Sequence, residues 1–125
     1  MIPLNEVVSY LASILPTDHP ADSSINGLQL TNDGIVKKIY TAVDASWETF
    51  QLAQELDHAL FVVHHGLFWK KQETRITEIM YRKLHYMMQH HIALYASHLP
   101  LDQHPLYGNN RVLLEKMGLD TSSLN

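Results

Sequence analysis

Ala59-Leu60-Phe61-Val62-Val63 runs directly into His64-His65-Gly66, and this stretch decides the fold. Five consecutive apolar residues have strand length. An uninterrupted run, as opposed to an alternating one, is what a strand shows when both of its faces are covered, as in a parallel sheet with helices on each side. The apolar character stops at the histidine pair, so the strand is expected to end there. Gly66 then permits a close backbone approach or a positive φ as the chain leaves the sheet.

Working outward, Val36 to Val43 carries β-branched and aromatic residues and reads as a second strand running into Asp44. Ile92 to Ala96 reads as a third, leading into Ser97-His98-Leu99-Pro100-Leu101-Asp102. Helices separate them. Leu4, Val7, Val8, Leu11, Ile14 and Leu15 recur at the spacing of an amphipathic helix over 3–15, with Pro3 suited to its first turn and Pro16 stopping it. Ser46 is placed to cap a helix through Leu56. Ile76, Ile79, Met80, Leu84, Met87 and Met88 mark one face of a helix over 75–89, in which the methionines read as core filler. Thr17 to Gly34 reads as a structured loop with a turn at Asn26-Gly27, and Val112, Leu113 and Met117 suggest a last helix closed by Gly118. This alternation predicts one α/β layered domain over 1–125, with a mainly parallel or mixed sheet flanked by helices. Ligands of such sheets gather at the carboxyl ends of the strands.

Composition narrows the functions. At 125 residues, 46% hydrophobic and 18% charged, the chain is globular and sized for a single core. No apolar run approaches the roughly 20 residues that span a bilayer, which predicts a soluble cytoplasmic protein with no membrane partner. Without cysteine, thiolate catalysis and disulfide scaffolds are excluded, and any metal must sit on His, Asp or Glu. Nine Lys plus Arg against thirteen Asp plus Glu leave a charge of −4, which argues against a nucleic-acid partner. Nine histidines, as many as Lys and Arg together, point to metal binding or a pH response. No Walker loop, Rossmann glycine fingerprint or G-x-S-x-G elbow occurs.

All three predicted strand ends carry polar groups: Asp44, the pair His64-His65, and His98 with Asp102. Successive strand residues point to opposite sides, so His64 and His65 chelate one ion only if the chain turns between them, whereas two ions would use both. Asp102 could supply an oxygen ligand or bridge two ions. Zn²⁺, Fe²⁺, Mn²⁺ and Ni²⁺ accept such a nitrogen and oxygen set. From spacing alone, a metal site and a partly exposed loop element both stay open. Asp44 reads as a helix cap ahead of a group that orients a ligand. His90-His91 reads as favourable charge at a helix carboxyl end. His19, His58, His85 and His104, with no acidic or His partner at ligand spacing, read as surface or structural residues.

Asn26-Gly27-Leu28-Gln29, then Val62-Val63-His64-His65-Gly66 with Phe68-Trp69, then Tyr95-Ala96-Ser97-His98-Leu99-Pro100-Leu101-Asp102 with Gly108-Asn109-Asn110, resemble in order and separation the NIF-three-like proteins, also known as GTP cyclohydrolase I type 2 proteins. The resemblance implies a dinuclear centre of two divalent ions (Zn, Fe, Mn or Ni) with His64, His65 and Asp102 as ligands, completed in the family by a His and a Glu from a second half of the chain. Only the amino-terminal half is matched here. The isolated chain is therefore expected to hold a partial site, to bind metal weakly or lose one ion, to be inactive alone, and to expose surface that packs on the second half. Metal-dependent hydrolysis is the implied chemistry, with ring opening of GTP as the reaction, a nucleotide as substrate, and His98 as the candidate for orienting a ligand or transferring a proton. Ring-shaped homo-oligomers are implied as well. The rival readings are a non-catalytic metal-binding scaffold or regulatory interaction protein, and a plain α/β nucleotide-binding module.

Overall fold

The computed structural model describes residues 1–54 and 56–122. Its elements run β1 (Ile2–Pro3), α1 (Leu4–Ile14), β2 (Gly27–Leu30), β3 (Ile35–Val36), β4 (Lys38–Asp44), α2 (Trp47–Leu52), β5 (Ala59–His65), α3 (Glu78–Gln89), β6 (Ala93–Ala96), α4 (Leu99–Asp102) and α5 (Asn109–Lys116). One sheet has the order β2-β6-β5-β4, in which β4, β5 and β6 are parallel and β2 lies antiparallel on the β6 edge. The small pair β1-β3 is antiparallel. A mixed sheet flanked by helices is thus the fold, as the alternation predicts.

The apolar run does what its pattern requires. Phe61 and Val63 pack on one face with Phe50 of α2 and with Leu84 and Met87 of α3, while Leu60 and Val62 face Leu4, Val7, Val8 and Leu11 of α1. Phe61 stacks on Tyr40 at 5.1 Å and meets Phe50 edge-on at 5.1 Å. Both faces of β5 are therefore covered, and its register is fixed twice over.

Several boundaries differ from expectation. Within the polar stretch 17–34, β2 forms an edge strand, because its short apolar segment can hydrogen-bond to β6 without needing a full core face. A bulge there inserts Gln29 between Leu28 and Leu30. The expected strand from Val36 divides at Lys37, whose N–H turns to the His58 carbonyl. β5 extends through the histidine pair, since Asp44 still pairs with His65. The second helix stops at Leu52 where Ala53 turns extended, and Glu55 lies outside the described residues. The helix expected over 75–89 begins at Glu78, leaving Ile76 ahead of it, and of its apolar stripe Met80, Leu84 and Met87 face the core whereas Ile79 and Met88 are exposed. Only the 80-84-87 spacing stays on one side of the helix. Gly118 closes α5 at φ 73°, its N–H reaching the Glu115 carbonyl while that of Leu119 reaches Leu114. Among the described residues, no helix is long and apolar enough to cross a membrane.

Phe61→Ala should destabilise the fold by about 3–5 kcal/mol, since it empties the centre of the larger core cluster. Urea denaturation read by far-UV circular dichroism measures it; a loss below about 1 kcal/mol would contradict this packing.

Candidate metal centre

Register builds the site before any side chain is considered. Asp44 at the end of β4 is the Cα partner of His65, and Val63 pairs with Ala96, which puts Ser97 beside His64. His64 and His65 therefore stand between the ends of two neighbouring strands. His98 follows Ser97 and occupies the residue before α4, so its ring reaches back over the same strand ends. The ring centroids of His64 and His65 lie 4.7 Å apart, as do those of His64 and His98. One ring nitrogen from each of the three falls within 4.8 Å of the others. The expectation that strand alternation separates His64 from His65 is thus corrected: at the strand end both imidazoles lean into one space.

Each of the three imidazoles is anchored through Nδ1. His64 Nδ1 donates to the Ser97 carbonyl at 3.0 Å, His65 Nδ1 lies 2.7 Å from Asp44 Oδ1, and His98 Nδ1 lies 2.8 Å from Asp22 Oδ1. Acceptors on that edge fix the proton on Nδ1 and leave the Nε2 lone pair for whatever sits opposite. Opposite His64 Nε2 is Asp102 Oδ2, 3.4 Å away. Asn109 donates to the other carboxylate oxygen of Asp102 at 3.0 Å. Two lone-pair atoms facing each other across 3.4 Å call for a cation or a proton between them. Donors bound to one Zn²⁺-like ion at roughly 2.0–2.2 Å stand about that far apart. Nitrogen and oxygen donors in this arrangement fit borderline divalent ions.

Asp22 is the buried hub behind His98. Its side chain is fully inaccessible, and it accepts from His98, from Asn26 Nδ2, and from the backbone N–H groups of Ser24 and Leu99. Burial by itself would raise its pKa; the hydrogen bonds from Asn26, His98, Ser24 and Leu99 outweigh that and hold the carboxyl well below the usual range. Asn26 Oδ1 also accepts the His98 N–H at 2.8 Å. Gln29, pushed out by the bulge in β2, accepts from the N–H groups of Leu67 and Phe68 and donates to the carbonyls of Ile25 and Phe68. A Cβ on Gly66 would collide with the Gln29 carboxamide, so this glycine serves close approach and needs no positive φ. Trp69 closes one side, edge-on to His98 at 5.1 Å, with its indole N–H on the Gly66 carbonyl.

The structure therefore gathers His64, His65, His98 and Asp102 at one place. Asp44 needs correction: Ser46 caps α2 by accepting from Thr49, which frees the Asp44 carboxylate to orient His65. Asp22 escapes a reading of the sequence altogether, because a lone Asp in a polar loop carries no spacing signal. His58 also needs correction, since folding supplies it with acidic and His neighbours in Asp33, Asp57 and His91. His91 turns toward Asp33, and His90 alone takes the carboxyl-terminal cap of α3. His104 is structural, accepting the N–H groups of Leu106 and Tyr107.

A mixed α/β sheet with a histidine-rich cluster at its strand ends defines the class of protein. The chain belongs to the Duf34/NIF3 (NGG1p interacting factor 3) family, whose model matches residues 2–124. It is 42% identical over 117 residues to a "GTP cyclohydrolase 1 type 2 homolog" of Archaeoglobus fulgidus, covering 94% of this chain and 47% of that one. A protein of the same description from Treponema pallidum is 46% identical over 99 residues, 78% of this chain and 34% of its own. The crystal structure of TTHA1606 from Thermus thermophilus superposes with a TM-score of 0.87 at 42% identity, over 95% of this chain and 49% of that one. The chain spans about half the length of the curated relatives it matches, or less.

Asp22→Asn should cost about 1–3 kcal/mol, because buried N–H groups lose their acceptor. With the folded-state pKa depressed, the Asp22 contribution is complete above the unfolded value of about 3.9 and is lost as pH falls below it. Wild type should therefore lose stability more steeply than the variant in that acid range. Denaturation series at stepped pH check this, and parallel acid limbs would contradict it.

Proposed function

We propose that this chain carries part of a dinuclear divalent-metal centre that serves hydrolysis, and that the complete protein opens the purine ring of a nucleotide such as GTP. The observation that carries the reading is the set of three Nδ1-anchored imidazoles with the Asp102 carboxylate facing His64 Nε2 across 3.4 Å. His64, His65 and Asp102 are the proposed ligands. When bound, such ions supply an acidified water and stabilise negative charge developing on an oxygen, which is what hydrolysis requires.

The chain's own residues do the positioning. Asp44 and the Ser97 carbonyl hold the two strand-end imidazoles, and Asn109 holds Asp102. His98, steadied by the ionised Asp22, is placed beside them to carry a proton. Trp69 shields one side of the cluster from water. The names of the relatives support GTP as the substrate. Self-association into a ring is part of the same proposal, and exposed Ile39 and Val43 along the edge strand β4 support an apolar contact there.

Titration of Zn²⁺ or Mn²⁺, followed by tryptophan fluorescence and calorimetry, should show saturable binding that His65→Ala weakens about tenfold or more. Coincident curves for the two proteins would remove His65 from the ligand set. In the full-length protein, GTP turnover should vanish with chelator and return with metal. Turnover that ignores chelator would detach the reaction from the metal, and none across a panel of nucleotides would favour a scaffold instead.

A further inference from the structure

A second imidazole–carboxylate cluster stands at the opposite end of the same sheet, where β5 and β6 begin. We infer that Asp33, His58 and His91 form a separate, solvent-accessible site for a borderline divalent cation such as Zn²⁺, Ni²⁺ or Cu²⁺.

The register again makes the placement. Leu60 pairs with Ala93, so the residues two positions upstream, His58 and His91, are neighbours at the sheet's entrance. Asp33 arrives from the turn between β2 and β3. Its Oδ2 lies 3.1 Å from His58 Nε2 and 3.4 Å from His91 Nδ1, and the three donor atoms fall within 4.8 Å of one another. Tetrahedral ligands at roughly 2.0–2.2 Å from an ion are about 3.3–3.6 Å apart, so both carboxylate-to-imidazole spacings are close to what coordination needs. The two rings lie nearly parallel, 4.7 Å between centroids and 4° between planes. Both address Asp33 in that arrangement. A cation would draw in His91 Nδ1 by turning its ring, which a 46% exposed side chain permits.

Backbone conformation points the same way. His58 and His91 sit at φ 59° and 53°, the left-handed region that residues other than glycine seldom occupy and that gathers at functional sites. Neighbouring groups hold them there. The His58 carbonyl accepts from Lys37 N–H, its N–H donates to the His90 carbonyl, and Asn32 Nδ2 donates to the carbonyls of His91 and Ile35. Behind His58, Asp57 Oδ1 lies 2.8 Å from Nδ1 without the alignment of a hydrogen bond, and its other oxygen pairs with Lys37. The Asp57 carboxylate therefore adds negative charge on that side of the cluster. With the Asp33 and Asp57 carboxylates set against Lys37, the cluster favours a cation over an anion.

The test is a Zn²⁺ titration of the isotope-labelled chain read at individual imidazole resonances by NMR, which separates this site from the His64-His65-His98 cluster whatever happens there. The rings of His58 and His91 should shift together and saturate. Asp33→Asn and His91→Gln, both at exposed positions with amide spectra reporting an intact fold, should each weaken that response about tenfold or more. Silent His58 and His91 rings would overturn the inference. So would shifts that Asp33→Asn and His91→Gln leave unchanged.

Discussion

Parallel pairing of β5 with β4 on one side and β6 on the other is the constraint from which the rest follows. Asp44 meets His65 and Ser97 meets His64 only in the observed register. A slip of one residue would exchange the two faces of β5 and separate each imidazole from its acceptor. What forbids the slip is packing. Burying each large side chain of β5 contributes about 1.5–3 kcal/mol, whereas one hydrogen bond contributes about 1 kcal/mol net. Apolar burial therefore fixes the register, and the polar chemistry at the strand ends takes its geometry from it.

Burial of Asp22 shows how that geometry is then held. An ionised carboxylate with no solvent contact is tolerated because four donors converge on it, two from side chains and two from backbone. Those donors come from three segments: the loop before β2, Asn26 at its edge, and the His98–Leu99 turn after β6. Asp22 thereby ties the polar loop to the sheet. Gln29 does the same on the other side, clamping Leu67 and Phe68 after β5. A site assembled from strand ends and loops is usually looser than one carried on a single element; here two internal clamps remove that freedom.

How far the fold can be read depends on how local its signals are. The run Ala59–Val63, the α1 stripe and the Gly118 cap are encoded within a few residues of one another, and each appears where its pattern places it. β2 is legible only as Leu28-Gln29-Leu30 within a polar loop, since its status as a strand is decided by β6, more than sixty residues away. The same contrast divides the site. His64 and His65 announce themselves by adjacency, whereas Asp22 and Asp33 become partners of histidines only after folding. Asp44 is ambiguous in the sequence because two uses of a strand-end carboxylate, capping and orienting, look identical until Ser46 is seen to fill the first. A motif of adjacent residues is local information; the groups that orient its side chains are not.

Parallel strands also explain why histidine–carboxylate clusters occur at both ends of one sheet. In register, neighbouring strands begin together and end together, so residues just outside equivalent positions are brought side by side without any dedicated interaction. His64, His65 and His98 exploit this at the carboxyl ends; His58 and His91 exploit it at the amino ends. The two clusters differ in what surrounds them. At the carboxyl ends His64 and Asp102 are 15% and 24% exposed and His65 is 42% exposed, but each imidazole has an acceptor on Nδ1 and a fully buried carboxylate lies behind His98, so the donors are held before any ligand arrives. At the amino ends Asp33 and His91 are about half exposed while His58 is 16% exposed, and the constraint lies in the left-handed backbone of the two histidines. Donors fixed in advance reorganise little when a ligand arrives. Exposed donors on a strained backbone favour reversible capture, in which the ligand gains from closing a cluster that is already half formed.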